Sequence, residues 1–538
     1  MDEISSAAGS RPGKVYLVGA GPGDPGLITL RGKYLLEHAE VLIYDYLASK
    51  KLLRYVPASA ELVYAGKRGG VQHTHTQEEI NQLLIDHARR GKMVVRLKGG
   101  DPFIFGRGGE EAEALYEAGI AFEVVPGVTS ATAAATYAGI PITHRAYTAS
   151  VSFLTGHEDP GKENSNIDWQ NLAAGGGTLA VYMGIKNLPV ITENLLRHGR
   201  AATTPVAVVR WASTPEQRTV VGTLADICDK VREAGIKPPA LIVIGEVVRL
   251  REKIDWFEKR PLFGKRIVVT RTREQASELV AQLEEAGAEC LEHPTIHVGP
   301  LESYDLLDEE LERIREYHWI VFTSLNGVRY FFERLFAKGM DARDLKGPSI
   351  AVVGKSTADL LRQYGLRADL VPKEFTAEGL AEALLDIGVG GRNILIARAK
   401  VGREFLPETL RGAGAQVMVV PVYQNMPPPG AREAIVADLE AGRIDAVTFT
   451  SSSTAQNFFD LLGTSSREEL AKLMHGVCIA AIGPITGKTI TDHGLTVDIQ
   501  PKQYTIEAMV AAMVACHNGG HGVSSGTDSE TSPGTGAA

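Results

Sequence analysis

Short apolar runs recur along the chain, each followed by a glycine-bearing polar loop and then by apolar residues at helical spacing. Val15-Tyr-Leu-Val18 and Val94-Val-Arg-Leu97 are two of these runs, and their pattern predicts parallel strands buried on both faces. The loops behind them read Gly19-Ala-Gly-Pro-Gly-Asp-Pro25 and Gly99-Gly-Asp-Pro-Phe-Ile-Phe-Gly-Arg-Gly-Gly109. Both should emerge at the carboxyl edge of one sheet, where open α/β sheets hold ligands. Gly19, Gly21, Gly23, Gly99 and Gly100 lack the Cβ that would obstruct a sharp turn or a close backbone approach.

The alternation breaks at Arg251-Glu-Lys-Ile-Asp-Trp-Phe-Glu-Lys-Arg-Pro-Leu-Phe-Gly264 and resumes with a fresh strand, Arg266-Ile-Val-Val-Thr270. Two α/β units of two lobes each are therefore predicted, residues 13–255 and 264–514, joined by a linker at 256–263. Residues 1–12 and 517–538 are small, polar and aperiodic, which predicts disordered ends. The second unit carries a repeat: Ala351-Val-Val-Gly-Lys-Ser-Thr357 returns 129 residues later as Ala480-Ala-Ile-Gly-Pro-Ile-Thr486. Upstream, Val321-Phe-Thr-Ser324 pairs with Thr448-Phe-Thr-Ser451. A single repeat of this length predicts two similar lobes whose facing strand ends form a hydroxyl-rich cleft.

At 538 residues the chain is too long for one core. Its net charge of −9 argues against general nucleic-acid binding and leaves any anionic substrate to local basic clusters. Lys67-Arg68, Arg96 with Lys98, Arg107, Arg145, Arg271 with Arg273, and Arg398 with Lys400 and Arg403 are such clusters. No apolar run reaches the ~20 residues of a membrane span, and Met-Asp-Glu-Ile-Ser-Ser lacks the pattern of an export signal, so a cytoplasmic location is expected. Cys228, Cys290, Cys478 and Cys516 are too scattered for a disulfide framework or a zinc site, and His73, His75 and His144 lack further ligands, so no metal is expected.

Pro22 and Asp24 take the first loop away from the dinucleotide fingerprint. With Tyr44-Asp-Tyr46, Gly66-Lys-Arg68, Pro126-Gly-Val-Thr-Ser130, Gly139-Ile-Pro-Ile-Thr-His-Arg145 and Tyr182-Met-Gly184 in order, residues 13–255 closely resemble the uroporphyrinogen-III C-methyltransferase family of tetrapyrrole methylases. The resemblance implies S-adenosyl-L-methionine as methyl donor, S-adenosyl-L-homocysteine as product, a reduced tetrapyrrole methylated twice to precorrin-2, and a homodimer through this half. By the same resemblance Pro22, Gly99, Gly100, Asp101, Ile104, Thr129, Ser130, Met183 and Ala212 line the donor site, Ala212 standing where the family has glycine. Thr129 and Ser130 open an Ala/Thr-rich helix, where their hydroxyls can serve as caps. Asp45 occupies the place of the family's proton acceptor, although as a residue alone it suits a strand-end turn or helix cap. Lys67 matches the family's proton donor or anchors a substrate carboxylate, with Arg68 and Arg107 as bidentate partners.

Residues 264–514 resemble the uroporphyrinogen-III synthase family through Val268-Val-Thr-Arg271, Phe322-Thr-Ser-Leu-Asn326, Val353-Gly354 with Thr357, Val422-Tyr-Gln424, Phe449-Thr-Ser-Ser452 and Ala481-Ile-Gly-Pro-Ile-Thr486. This implies a discontinuous first lobe, 264–297 plus 424–514, around a second lobe of 298–423. It also implies cyclisation of hydroxymethylbilane with loss of water and inversion of one ring. Tyr423 is the candidate to assist departure of the hydroxyl, with Thr323, Ser324, Thr357, Ser451, Ser452 and Thr486 orienting carboxylates. These hydroxyls also suit helix N-caps, and the two roles can coexist. Gly354-Lys-Ser-Thr357 and Gly487-Lys-Thr489 are not phosphate loops, since Ser349 and Ile482 stand where the earlier glycine is required. The combined expectation is a bifunctional tetrapyrrole enzyme that stops at precorrin-2. The alternative is a methylase of another corrin intermediate fused to a ligand-sensing module.

Overall fold

The computed structural model describes residues 13–66, 75–156, 167–270, 273–293, 297–426 and 430–518. Lys67, Arg68, His73, Arg271 and the terminal segments 1–12 and 519–538 lie outside the described residues, while His517 and Asn518, read above as the start of a disordered end, close the helix Ile506–Asn518. Strands β1 (Lys14–Gly19), β2 (Val41–Tyr44), β3 (Glu61–Tyr64), β4 (Met93–Lys98) and β5 (Ala121–Val125) form a sheet in the order β3-β2-β4-β1-β5. Every pairing in it is parallel. Val15, Leu17, Val94, Val95 and Leu97 are fully buried, as their apolar runs predict, and Arg96 is buried among them. The glycine loops thus leave adjacent central strands on the same edge.

A second sheet, of β6 (Val151–Thr155), β7 (Thr178–Tyr182), β8 (Pro205–Arg210), β9 (Arg218–Thr223) and β10 (Ala240–Ile244), has the order β6-β7-β10-β8-β9. Only β6 and β7 run parallel. Among the helices are α1 (Leu30–Glu37), α2 (Gln77–Arg89), α3 (Gly108–Glu117) and α4 (Ser130–Tyr137). Ala131, Ala134 and Ala135 of α4 pack with Ala180, Ala207 and Val243 of the second sheet. Their small side chains let the helix axis approach closely, which brings its N-terminus beside the first sheet's loops.

The segment 256–263, read above as a linker, is packed. Phe257 and Leu262 are each 3% exposed. Trp256 Nε1 donates to Thr136 O at 3.1 Å, and Glu258 accepts from Gln217, Thr219 and Arg251. Phe257 is withdrawn from water, whereas Trp256 remains half exposed and is held by its indole nitrogen and by its edge against Phe257. Chain contacts group residues 13–266 with 282–289 in one compact unit, and 267–281 with 290–516 in another.

The second half contains a sheet of β11 (Arg266–Val269), β12 (Glu289–Glu292), β18 (Ala446–Phe449) and β19 (Cys478–Ala481), in the order β12-β11-β18-β19. Its other sheet takes β13 (His297–Gly299), β14 (Trp319–Phe322), β15 (Ser349–Val352), β16 (Asn393–Ala399) and β17 (Gln416–Met426), in the order β13-β17-β16-β14-β15. β13 is an antiparallel edge, paired with the far end of the long β17, while β14, β15, β16 and β17 pair in parallel. The repeat is visible atom by atom. Ala351 bridges Leu370 as Ala480 bridges Ile499. Ile350 N donates to Asp369 and Ile479 N to Asp498, both at 2.7 Å.

Candidate active sites

Ala20 N donates to Lys98 O at 2.7 Å, Gly100 N to Gly21 O at 2.8 Å and Gly21 N to Gly100 O at 3.2 Å, so the two glycine loops are tied back to back. Asp101 brings in a third loop, the one after β5: its Oδ2 accepts from Gly127 N at 3.0 Å and its Oδ1 from Phe103 N at 2.8 Å. Where the three loops cross there is no room for a side chain. A Cβ on Gly127 would lie 2.3 Å from Gly100 O and 2.8 Å from Gly19 Cα, and one on Gly19 would lie 2.5 Å from Gly127 N. Gly100 faces the other way, since its Cβ position meets nothing closer than Ser130 N at 3.7 Å.

Backbone strain collects around this crossing. Among the described residues, the non-glycine positions with positive φ are Phe105, Arg107, Met183, Trp211 and Ser213. All follow β4, β7 or β8. Left-handed backbone costs an L-residue roughly 1–2 kcal/mol and persists where its surroundings over-determine it. Phe105 is held by its ring against Tyr182 at 4.8 Å, and Ser213 by Gln217, whose Oε1 accepts from Ser213 N at 3.0 Å. Ala212 sits between two of these residues but outside the positive-φ set, so its methyl adds no backbone strain.

Thr129 does not cap α4 through its side chain. Its hydroxyl instead shares a 2.6 Å hydrogen bond with the Tyr182 hydroxyl, which also accepts from Ala131 N at 3.2 Å. The Tyr182 oxygen therefore does the capping. Tyr182→Phe should strand both partners, lowering stability by about 1–2 kcal/mol, which thermal unfolding would measure.

Asp45 follows β2 and does two things. Its Oδ1 accepts from Leu47 N at 3.1 Å, the turn role, and its Oδ2 accepts from Arg96 Nη2 at 3.1 Å. Arg96 Nε also reaches Glu111 Oε1 at 3.2 Å, and Lys98 Nζ reaches the same oxygen at 2.6 Å. Two carboxylates and two cations thus balance beneath the loops. Burial, then the neighbouring Arg96 charge, hold the Lys98 ammonium below its ordinary range. Glu111 Oε2 is buried and without a partner among the described residues. The Arg107 guanidinium is already engaged by Glu110, at 2.7 and 2.9 Å, on an exposed edge.

In the second half, Tyr423 of β17 is buried, with its hydroxyl 3.2 Å from Ser324 Oγ and its ring stacked on Tyr330 at 5.8 Å. Ser324 also accepts from Gly327 N at 3.0 Å, capping the helix Leu325–Ala337. Ser451 makes the equivalent cap on Ser452–Leu462 by accepting from Thr454 N at 3.2 Å. Thr357 and Thr486 are buried in the first turns of Lys355–Gln363 and Pro484–Asp492, and Thr323 follows β14. Each lobe thus presents paired helix N-termini beside hydroxyls, an arrangement suited to carboxylates.

A family model described as Tetrapyrrole (Corrin/Porphyrin) Methylases matches residues 14–228, and one described as Uroporphyrinogen-III synthase HemD matches residues 277–511. Porphyrin biosynthesis protein HemD of Ruminiclostridium josui is 39% identical over 507 residues, which is 94% of this chain and 99% of that protein. The chain belongs to the HemD porphyrin-biosynthesis family. It is a bifunctional tetrapyrrole biosynthesis enzyme, with a methylase half and a HemD half. The methylase half is 54% identical to Uroporphyrinogen-III C-methyltransferase of Priestia megaterium over 236 residues, 44% of this chain and 98% of that protein. It is 55% identical to S-adenosyl-L-methionine-dependent uroporphyrinogen III methyltransferase of Methanosarcina barkeri over 240 residues, 45% of this chain and 94% of that protein.

In the methylase half, Pro22, Gly99, Gly100, Asp101, Ile104, Thr129, Ser130, Met183 and Ala212 all stand on loops following β1, β4, β5, β7 and β8, or at the start of α4. Asp45 lies off the end of β2, tied to the crossing through Arg96 and β4. The sequence reading missed Tyr182 as a cap and Glu111 as counter-ion to Arg96 and Lys98. Two cations inside an otherwise apolar strand were the available signal for the second. No helix among the described residues is long and apolar enough to cross a membrane.

Proposed function

We propose that the HemD half closes hydroxymethylbilane to uroporphyrinogen III and that the methylase half methylates that product twice with S-adenosyl-L-methionine, giving precorrin-2. The observation that carries the reading is the presence in one chain of a tetrapyrrole methylase match and a uroporphyrinogen-III synthase match. The crossing suits the donor: the absent Gly100 side chain lets the start of α4 come within van der Waals reach, its Cβ position lying 3.7 Å from Ser130 N, and the backbone amides, hydroxyls and apolar Ile104 and Met183 around it suit an adenosyl sulfonium. Bound there, S-adenosyl-L-methionine supplies an electrophilic methyl group. Pro22, Gly99, Gly100, Asp101, Ile104, Thr129, Ser130, Met183 and Ala212 orient it and exclude water. When the pyrrole carbon takes the methyl, the ring system gains positive charge, and Asp45 accepts the proton whose loss restores conjugation. Lys67, Arg68 and Arg107 hold substrate carboxylates, and two methylase halves pair as a homodimer.

In the HemD half, Tyr423 donates a hydrogen bond to the departing hydroxyl, and Thr323, Ser324, Thr357, Ser451, Ser452 and Thr486 hold carboxylates so that the chain curls into the inverted closure. Tyr423→Phe should slow closure by about fivefold without abolishing it, since one hydrogen bond of roughly 1 kcal/mol is lost and the substrate ionises with help from its own pyrrole nitrogen. A stopped assay of the type III isomer would measure it. One incubation with hydroxymethylbilane and S-adenosyl-L-methionine, followed by mass analysis, tests the whole reading. Two added methyl groups on a type III macrocycle are expected; an unmethylated or type I product would overturn the half concerned.

A further inference from the structure

We infer that the junction segment Trp256-Phe257-Glu258 supports the methyl-donor site from behind, with Glu258 and Tyr137 as positioning residues for the first glycine loop. The inference rests on the donor-site reading above. Asp24 ends that loop and is held at three points. Its Oδ1 accepts from Gly26 N at 2.7 Å, its Oδ2 accepts from the Tyr137 hydroxyl at 3.0 Å, and its N donates to Ser213 Oγ at 3.1 Å. Tyr137 ends α4, the helix Ser130 opens, and Ser213 follows Ala212. The two arms reaching Asp24 therefore come from two other walls of the site.

Both arms meet at Gln217. Its Oε1 accepts from Ser213 N at 3.0 Å, and its Nε2 donates to Tyr137 O at 3.0 Å and to Glu258 Oε1 at 2.8 Å. Glu258 is anchored in turn by Thr219 Oγ1 at 2.5 Å and Arg251 Nη2 at 2.6 Å. Gln217 and Ser213 are buried, so breaking the chain at Glu258 leaves polar groups that water does not reach. The aromatic residues add shape. The Tyr137 ring packs on Trp256 at 5.3 Å and on Phe257 at 4.7 Å. Gly139, two residues on, has φ +67° and no room for a Cβ, which would stand 2.7 Å from Ile254 O. Burial, then the Asp24 carboxylate, push the Tyr137 phenol far above its ordinary range, so it donates to Asp24 throughout neutral pH. The residues leading into the synthase half thus hold the methylase's donor loop in place.

The test uses the full chain with Glu258→Ala, Glu258→Gln and Tyr137→Phe, titrated with S-adenosyl-L-homocysteine by calorimetry and assayed for both reactions. Glu258→Ala and Tyr137→Phe should each weaken ligand binding about tenfold, the scale of a charge-assisted hydrogen bond, and raise the donor KM while the tetrapyrrole KM and ring closure stay at wild-type values. Glu258→Gln, which keeps the shape and one acceptor, should recover part of the loss. The double change should cost less than the two single losses combined, because both act on Asp24. Should Glu258→Ala fail to fold, Tyr137→Phe, which deletes one oxygen, decides the matter. Wild-type binding in the folded variants, with only the unfolding temperature lowered, would overturn the inference and leave the segment a structural strap. Absence of ligand binding by the wild-type chain would overturn the donor-site reading itself.

Discussion

Gly127→Ala is expected to abolish methyl transfer while leaving ring closure by the same chain at the wild-type rate. The added methyl would lie 2.3 Å from Gly100 O and 2.8 and 2.9 Å from Gly19 Cα and C, all backbone atoms that cannot rotate away. Relief requires the loops after β1, β4 and β5 to part. That breaks the Asp101 contact to Gly127 N and distorts the proposed donor site. Overpacking of this kind costs about 1–3 kcal/mol in ordinary cores, and a site that needs sub-ångström alignment loses far more in rate than in stability. Gly109→Ala is the matched control. It lies in α3, and its Cβ meets nothing within 4 Å, so helix propensity should make it neutral or stabilising by up to about 1 kcal/mol. Labelled methyl incorporation and type III isomer formation, measured on one preparation, separate the outcomes. Retention of both activities would remove the crossing from the account of the site.

The glycine loops were legible because burial leaves a mark on composition. An apolar run followed by glycine admits few readings, and the parallel order β3-β2-β4-β1-β5 puts both loops where expected. What was not legible depends on contacts between residues far apart in the chain. Nothing near Thr129 signals that Tyr182, across 53 positions, takes over its capping. Nothing near Trp256 marks it as packed against α4 except its own size. The repeat was under-read for a different reason. It continues into Phe331-Phe332 and Phe458-Phe459, whose edge-to-face partners are Phe322 at 5.2 Å and Phe449 at 5.3 Å. Its spacing changes from 129 to 127 residues upstream, and the pairing read from the sequence at that shorter spacing ended at Ser324 and Ser451, before the two Phe pairs.

Asp45→Asn should lower methyl-transfer turnover by about 10²–10⁴-fold, the range of a lost general base, while donor affinity changes little. The geometry separates this from loss of shape. The carboxylate serves Leu47 N with one oxygen and Arg96 Nη2 with the other. Asparagine has one oxygen, so one of those donors must face an NH2 group. If the amide keeps the turn, Arg96 loses an anion but retains Glu111, and the buried balance shifts from two carboxylates against two cations to one against two. Lys98, already held below its ordinary range by burial and by Arg96, is the group best able to relieve that excess by losing its proton. The variant should therefore fold and bind S-adenosyl-L-homocysteine, and its defect should sit in turnover. Single-turnover methyl transfer at saturating donor, beside calorimetric donor binding, reads both quantities. Equal losses in binding and turnover would make Asp45 a turn residue that shapes the loop. Unchanged turnover would pass proton removal to solvent or to another carboxylate of the site.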